Sequence, residues 1–189
     1  MEPAWTLFLD RDGVINKRNM DGYITNWSEF IFEEGALSFI SETTSIFKNI
    51  VIVTNQQGVG KGLMSQHDLD NIHSNMCRVI NQHQGRIDHV FSCTCLATDT
   101  DNCRKPSNHM AFKAKEAFPD IVFDRSVMVG DSVTDMQFGQ QLGMKTLFIH
   151  NQVDTKDADL DWIRSHCWSI EKNMTNALER IKKWHHNER

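Results

Sequence analysis

The sequence predicts an α/β fold in which a parallel sheet carries helices on both faces. Short apolar runs of strand length alternate along the chain with segments of helical periodicity, an order that is typical of parallel sheets. Residues 49–54 are largely β-branched and show no polar alternation, which indicates a strand buried on both faces. The chain has 189 residues, enough for one hydrophobic core, and we predict a single domain over residues 1–189.

Apolar runs of strand length occur at six places along the chain. The first run ends at Leu9, and the second is the β-branched segment described above. The later runs are bounded by polar or turn residues, and the last of them is short. They lie at residues 87–93, 126–130, 145–150 and 167–170.

The segments between these strands carry apolar residues at helical spacing. In the longest of them Ser65 can cap the first turn, while Leu69 and Ile72 lie on one apolar face. Pro119 ends one helix and Gly143 ends another. The predicted helices are residues 35–48, 65–83, 110–118, 133–142 and 157–165, with a closing helix from residue 171.

Longer loops are predicted at residues 17–34, 55–62 and 94–108, and the first is expected to fold over the site. The second is rich in glycine but is not a nucleotide-binding P-loop. That motif requires Gly-Lys followed by Ser or Thr, and here Gly60-Lys61 is followed by Gly62. The loop therefore does not predict ATP binding.

Reactive polar residues stand at the ends of three predicted strands: Asp10 and Asp12 after the first, Thr54 in the second and Asp131 after the fourth. Ligands of parallel sheets bind beyond the carboxyl ends of strands, so these residues predict one site. Side chains two residues apart in a strand point the same way, so the first two carboxylates would repel each other unless a cation lay between them. Mg²⁺ suits such oxygen ligands. A surface turn is the alternative, because Asp and Gly are ordinary turn residues.

These residue types suit the chemistry of a phosphate ester. Asp10 can attack phosphorus and form an aspartyl-phosphate. Asp12 can protonate the leaving oxygen and then activate water. Asp131 can supply a further carboxylate to the metal. Asp135, one helical turn later, either joins them or only favours the helix dipole.

Three further polar residues can hold a phosphoryl group. The hydroxyl of Thr54 can bind phosphate oxygens, together with backbone N–H groups of the following loop, or the residue can simply end its strand. Arg104 and Lys105 can neutralise the charge that develops on a phosphoryl group. The alternative for this dipeptide is an ordinary solvated surface.

A cluster of cysteines, Cys93, Cys95 and Cys103, predicts a metal site rather than disulfides in an intracellular chain. Structural zinc takes four ligands, so a further residue is required. Asp101 or Asp99 could complete the shell, and His109 is a more remote option. The alternative is a reduced loop that binds no metal.

Composition restricts the function further. The net charge of −5 argues against a broad nucleic-acid footprint. No apolar stretch is long enough to span a bilayer, and the start of the sequence has no signal-peptide pattern, so we predict a cytoplasmic protein without membrane contacts. Four other histidines, at 67, 73, 83 and 89, show no partner spacing and are interpreted as surface or core residues.

Four motifs together resemble the haloacid-dehalogenase (HAD) superfamily of phosphatases, and within it the histidinol-phosphatase-like subgroup. They occur in the family's order between residues 7 and 150. They are Phe8-Leu9-Asp10-Arg11-Asp12-Gly13-Val14-Ile15-Asn16, Val53-Thr54-Asn55-Gln56-Gln57-Gly58, Cys103-Arg104-Lys105-Pro106 and Val129-Gly130-Asp131-x-x-x-Asp135-Met136.

The resemblance implies a Rossmann-like three-layer sandwich with no large cap domain, and a Mg²⁺-dependent phosphomonoesterase. It implies that Asp10 is the nucleophile and Asp12 the general acid and base, with Mg²⁺ held by Asp10, the backbone carbonyl of Asp12 and Asp131. Thr54 and Lys105 would stabilise the transferring phosphoryl group. The residues implied in substrate binding are Asp21, Gly22, Tyr23, Asn55, Gln56 and Arg104.

The implied substrate is a small phosphorylated sugar, in the first place the 7-phosphate of a heptose 1,7-bisphosphate, acted on by a monomer. Histidinol phosphate or another small phosphomonoester is the alternative, and the acidic charge disfavours a DNA 3′-phosphate. A non-catalytic zinc-loop interaction module is a further alternative, against which the intact set of site residues argues.

The chain departs from the subgroup in three respects, the first of which is a short spacer in the zinc loop that predicts a different pocket wall and with it a different substrate. Cys95 stands where the family's zinc loop has His, and Asp101 replaces its third ligand, so the implied zinc shell is Cys93, Cys95, Asp101 and Cys103. Ser132 stands where the heptose phosphatases carry Lys, which leaves one positive charge fewer beside the metal.

Overall fold

The computed structural model describes residues 4–150 and 156–188 and contains a six-stranded parallel sheet. This confirms the predicted α/β architecture. The predicted domain span of 1–189 includes residues outside the described ranges. The strands are β1 (Thr6–Leu9), β2 (Asn49–Asn55), β3 (His89–Cys93), β4 (Ser126–Gly130), β5 (Lys145–Ile149) and β6 (Ser169–Glu171).

The helices that accompany the strands are α1 (Ala36–Thr43), α2 (Gln57–Gly60), α3 (Gln66–Gln82), α4 (His109–Ala117), α5 (Val133–Gln141), α6 (Asp157–His166) and α7 (Met174–Asn187). All of them except α2 overlap predicted segments, but α1 ends at Thr43 rather than at residue 48. The short α2 lies in the glycine-rich segment that was predicted as a loop. The closing helix begins at Met174 rather than at residue 171, because Asn173 caps it by accepting a hydrogen bond from the backbone N–H of Asn176.

The strand order is β3-β2-β1-β4-β5-β6, so β1 lies in the middle of the sheet. It pairs in parallel with β2 on one side and with β4 on the other. The carboxyl ends of these three strands therefore meet at one edge. This arrangement brings Asp10 and Asp12, Thr54 and Asp131 to neighbouring positions.

The core has two layers, one on each face of the sheet. Alternation along β1 directs Leu7 and Leu9 to one face and Phe8 to the other, and all three are fully buried. The first face packs against α1, α3 and α7, and the second packs against α4, α5 and α6. These layers form the expected three-layer sandwich. Within the described ranges we find no helix with the length and apolar character that a membrane span requires.

Two helices that begin near the site edge are fixed by side-chain caps. At the start of α3, Ser65 accepts a hydrogen bond from the backbone N–H of Asp68, and the Asp68 carboxylate accepts one from the Ser65 N–H. Ser132 and Asp135 form the same reciprocal box at the start of α5.

The turn after β1 approaches β4 closely at Gly13. This glycine has φ +89°, and a Cβ atom built on it would lie 1.8 Å from Oδ2 of Asp131. An L side chain at this position would therefore be strained by the backbone and would also overlap the carboxylate. Glycine at position 13 lets the turn and the Asp131 carboxylate share this space.

Gly13→Ala is expected to destabilise the protein more than Gly62→Ala does. Gly62 also has a positive φ, +70°, but nothing lies within 4 Å of its Cβ position. Its substitution should cost about 1–2 kcal/mol of backbone strain, whereas Gly13→Ala should add about 1–3 kcal/mol of steric overlap. Urea unfolding of both variants measures the difference, and equal losses would contradict the proposed overlap.

Candidate active site

A pocket of about 280 Å³ lies beyond the carboxyl ends of β1, β2 and β4. Its lining combines acids from the ends of β1 and β4 with cations from the segment after β1 and from the loop after β3. Among the lining residues are Asp10, Asp12, Arg18, Gly22, Tyr23, Thr54, Asn55, Gln56, Arg104, Lys105 and Asp135. The sequence therefore identified most of this pocket, and the structure brings these residues together.

Lys105 is the central cation of the pocket and is 4% exposed. Its Nζ lies 2.6 Å from Oδ1 of Asp10 and 2.6 Å from Oδ1 of Asp135, and it also donates to the carbonyl oxygen of Val53 at 2.6 Å. One ammonium thus bridges two buried carboxylates. The charges of Asp10 and Asp135 outweigh the effect of burial and raise the pKa of Lys105.

The pKa of Asp10 rises to about 6, mainly because burial disfavours its charged form. The Lys105 ammonium opposes this rise, and the charges of Asp135 and Asp12 add to it. The Asp10 carboxylate is thus held in a pocket whose acids are only partly neutralised by the side chains around them.

Asn55 fixes the backbone that carries Lys105. Its Oδ1 accepts a hydrogen bond from the Lys105 N–H at 2.9 Å, and its Nδ2 donates to the Lys105 carbonyl at 3.3 Å. Asn55 is expected from the sequence to bind substrate. The structure places it in the pocket lining, with its side-chain amide on this backbone.

The carboxylate of Asp12 is held by three donors. Nη2 of Arg11 and Nδ2 of Asn16 donate to Oδ1, both at 2.9 Å, and Nε2 of Gln56 donates to Oδ2 at 2.8 Å. Burial would raise the pKa of Asp12, but the Arg11 charge and these hydrogen bonds outweigh it and lower the pKa. Gln56, also expected to bind substrate, is 2% exposed and donates a further hydrogen bond to Oγ1 of Thr54 at 2.9 Å.

Arg11 joins the pocket to α3 through His73. The guanidinium is 1% exposed, and its Nη1 lies 3.2 Å from Nε2 of His73. Burial and the Arg11 charge lower the pKa of His73 to about 4, so the imidazole is neutral and accepts this hydrogen bond. The sequence analysis assigned His73 to the surface or core and gave Arg11 no role. The one available signal was the position of His73 beside the apolar face of its helix.

Asp131 is 4% exposed and faces Arg18, a residue that the sequence analysis missed. Nη2 of Arg18 lies 2.6 Å from Oδ1 of Asp131 and 3.4 Å from the backbone carbonyl oxygen of Asp12. Burial raises the pKa of Asp131 well above its usual value. Arg18 opposes this rise, while the charges of Asp10 and Asp135 add to it.

The donor set at this edge fits a divalent cation. Carboxylate oxygens of Asp10, Asp131 and Asp135 lie within 4.8 Å of one another. Oδ2 of Asp131 is buried and has no hydrogen-bond partner in the part of the chain that the structure describes. Mg²⁺ takes oxygen ligands in proteins, so a cluster of carboxylate oxygens that includes one without a hydrogen-bond partner suits this ion.

Asp135 lines the pocket and also lies in the first turn of α5. Its Oδ2 accepts hydrogen bonds from the N–H and the hydroxyl of Ser132 and so caps α5. Its Oδ1 meanwhile pairs with Lys105. One carboxylate therefore fixes the helix start and also positions the lysine.

The loop after β1 contributes two of its three predicted substrate residues to the pocket. Gly22 and Tyr23 line it, and the Tyr23 hydroxyl donates to Oε1 of Gln57 at 3.3 Å. Asp21 is exposed and is not among the lining residues. Arg104 also lines the pocket, and its buried Nη1 has no hydrogen-bond partner within the described ranges.

The cysteine loop differs from the predicted set of free thiolates. Cys93 and Cys103 form a disulfide, and the Cys95 sulphur lies 3.5 Å from that of Cys103. The three sulphurs do converge within 4.8 Å, as predicted for a metal cluster. Asp101 is exposed and is not part of this group of described residues. Its role as the adjoining zinc ligand stays a prediction.

Comparison with known proteins identifies relatives of this chain. A family model described as HAD-hydrolase-like matches residues 102–167. The D-glycero-alpha-D-manno-heptose-1,7-bisphosphate 7-phosphatase of Mycobacterium bovis is 36% identical over 138 residues, which is 73% of each chain. The D-glycero-beta-D-manno-heptose-1,7-bisphosphate 7-phosphatase of Helicobacter pylori is 27% identical over 93% of this chain and 96% of its own.

A solved structure extends the similarity to the whole fold. It is the D,D-heptose 1,7-bisphosphate phosphatase from B. bronchiseptica in complex with magnesium and phosphate, and it superimposes with a TM-score of 0.80. The match covers 95% of this chain and 98% of the other, at 26% identity. The chain therefore belongs to the family of HAD-like phosphatases that includes the heptose-1,7-bisphosphate 7-phosphatases.

Proposed function

We propose that this protein is a Mg²⁺-dependent phosphatase that removes the 7-phosphate from D-glycero-D-manno-heptose 1,7-bisphosphate. The observation that carries the proposal is the convergence of Asp10, Asp12, Thr54 and Lys105 on one pocket. This convergence occurs in a chain whose relatives are named as phosphatases of that sugar. The pocket volume of about 280 Å³ suits a small phosphorylated metabolite.

Asp10 is the nucleophile in this proposal. Its carboxylate oxygen forms a bond to phosphorus while the bond from phosphorus to the sugar oxygen breaks, which leaves an aspartyl-phosphate. Asp10 is fixed for this attack by its N–H, which donates to the carbonyl oxygen of Val129 at 2.9 Å, and by Lys105 on Oδ1. Lys105 and Thr54 then face the phosphoryl oxygens and stabilise their charge.

Asp12 gives a proton to the departing sugar oxygen and later takes one from the water that hydrolyses the aspartyl-phosphate. Its lowered pKa suits the second of these tasks. For the first task, the negative charge of the entering phosphate opposes ionisation of Asp12 and so raises its pKa. Substrate binding therefore favours the protonated form of Asp12, which the first step requires.

Asp10, the Asp12 carbonyl and Asp131 would hold Mg²⁺, which when bound neutralises charge on the phosphoryl group and on the acids. Arg104 would bind the substrate through Nη1, which has no hydrogen-bond partner among the described residues, and Gly22 and Tyr23 would form part of the wall. Asn55 and Gln56 would act indirectly, since their side chains hold Lys105 and Asp12.

A second candidate substrate is histidinol phosphate or another small phosphomonoester. The observation that favours it is Ser132, which stands in the pocket lining where the heptose phosphatases carry Lys. Its hydroxyl is engaged with Asp135 and Thr134 and adds no positive charge for a second phosphate.

Phosphate release from a panel of these esters tests the proposal. With Mg²⁺, the heptose bisphosphate should give the highest kcat/KM, and Asp10→Asn should reduce turnover to near the uncatalysed level because the nucleophile is lost. The neutral amide should be tolerated by the fold, since burial already disfavours the charged acid. Asp70→Asn, at an exposed site on α3, is the matched control. Full activity of Asp10→Asn would contradict the mechanism, and a preference for histidinol phosphate would contradict the substrate.

Arg18→Ala should strengthen Mg²⁺ binding. The guanidinium contacts Asp131 and the Asp12 carbonyl, two of the groups assigned to the ion, so ion and side chain compete for them. If the competition costs about 1.4 kcal/mol of Mg²⁺ binding free energy, its removal would lower the Kd for Mg²⁺ roughly tenfold. Calorimetric titration with Mg²⁺ and no substrate measures the change. Arg78→Ala, which removes an exposed arginine of α3, is the control, and unchanged or weaker binding to the Arg18 variant would refute the competition.

We also propose that the cysteine loop binds zinc when it is reduced. Reduction would free Cys93 and Cys103, and with Cys95 they would supply three of the four ligands that structural zinc takes. Elemental analysis should find zinc in protein prepared with a reductant and lose it in Cys95→Ser. Cys77→Ser, a cysteine of α3 outside the cluster, should keep it. Reduced wild-type protein without zinc would contradict the proposal.

A further inference from the structure

We propose that His73 is a positioning residue for the acid–base step, which holds the Arg11 guanidinium and, through it, the carboxylate of Asp12. The inference rests on the proposed function, because it takes Asp12 as the group that exchanges a proton with the leaving oxygen. His73 acts on Asp12 only through Arg11 and takes no part in forming or breaking bonds.

The geometry forms a continuous chain of contacts from helix to acid. His73 Nε2 lies 3.2 Å from Arg11 Nη1, and Arg11 Nη2 donates to Asp12 Oδ1 at 2.9 Å. The guanidinium is planar and rigid, so fixing one terminal nitrogen sets the direction of the other. The imidazole therefore determines where Arg11 presents its second donor.

Arg11 has few other supports. Its Nε is buried without a hydrogen-bond partner among the residues that the structure describes. Without the imidazole a second buried donor, Nη1, would lose its acceptor, and an unpaired buried donor is costly. The guanidinium would then turn toward another acceptor and leave the Asp12 carboxylate with only Asn16 and Gln56 to hold it, so that its alignment is less well fixed.

The histidine is well placed to act as a fixed support. It lies on α3 between Leu69 and Met76, two fully buried residues that anchor the helix in the core. The capping box of Ser65 and Asp68 fixes the start of the same helix. Its pKa of about 4 keeps the imidazole neutral and able to accept a hydrogen bond near neutral pH. Helix α3, which is anchored in the core, is therefore connected to the Asp12 carboxylate through Arg11.

This role predicts a defect that depends on the leaving group. An alkyl phosphate releases a strongly basic oxygen and needs the proton from Asp12, whereas p-nitrophenyl phosphate releases a weakly basic phenolate that needs it far less. A misaligned acid should therefore slow the first ester much more than the second. General loss of structure would slow both esters alike.

The experiment compares kcat/KM, which reports the step in which the leaving oxygen departs, for a sugar phosphate and for p-nitrophenyl phosphate in three variants. His73→Leu keeps bulk without the acceptor and should lower kcat/KM for the sugar phosphate about 10- to 100-fold, and that for the aryl ester less than about threefold. His73→Gln offers an amide oxygen to Arg11 and should restore most of the loss. His67→Leu, on the exposed side of the same helix, should match wild type.

Different results would overturn the positioning role of His73 and the proposed phosphatase function. If His73→Leu, or His73→Ala where the leucine variant does not fold, slows both esters equally or neither, the positioning role is overturned while the phosphatase stands. If wild-type protein with Mg²⁺ releases phosphate from neither ester, the proposed function fails first and this role with it.

Discussion

The site depends on the burial of several carboxylates at one edge of the sheet, where each acid needs a positive charge or a hydrogen-bond donor. Lys105 is the main partner, because its ammonium lies 2.6 Å from both Asp10 and Asp135. The raised pKa of Asp10, about 6, indicates that this ammonium does not offset burial and the neighbouring acids completely. The pocket therefore carries negative charge that its side chains do not balance, and a bound divalent cation would neutralise it.

The order of the strands determines how this charge is assembled. Because β1 lies between β2 and β4, the acids of two strand ends meet, while the matching lysine must come from elsewhere. It comes from the loop after β3, which is the neighbour of β2 on its outer side. Asn55, at the end of β2, fastens the Lys105 backbone across this gap with two hydrogen bonds. Asn55, which is expected from the sequence to contact substrate, therefore holds the loop that carries Lys105 against the sheet.

Local patterns in the sequence predicted the fold and those site residues that lie at strand ends. Asp10 and Asp131 could be placed because a parallel sheet brings the carboxyl ends of its strands together, whichever residues follow. Arg18 could not, because it lies in a loop without periodicity and its position follows from packing alone. His73 resembles any histidine on an amphipathic helix, since its partner Arg11 is distant in sequence. The metal role of Asp101 stays a prediction, because ligand spacing does not determine whether a loop turns inward or into solvent.

The cations that match these acids come from separate parts of the chain, and this links the site to folding as a whole. Arg11 belongs to the turn after β1, Arg18 to the loop that follows it, and Lys105 to the loop after β3. The pairs of Arg18 with Asp131 and of Lys105 with Asp10 join distant parts of the chain, so they form only when the sheet is assembled. Even then one oxygen of Asp131 is left buried without a partner among the described residues. A ligand that adds positive charge here binds the folded chain and has no comparable site in the unfolded chain. Its binding must therefore raise the free energy of unfolding, so occupancy of the pocket and stability of the fold are coupled.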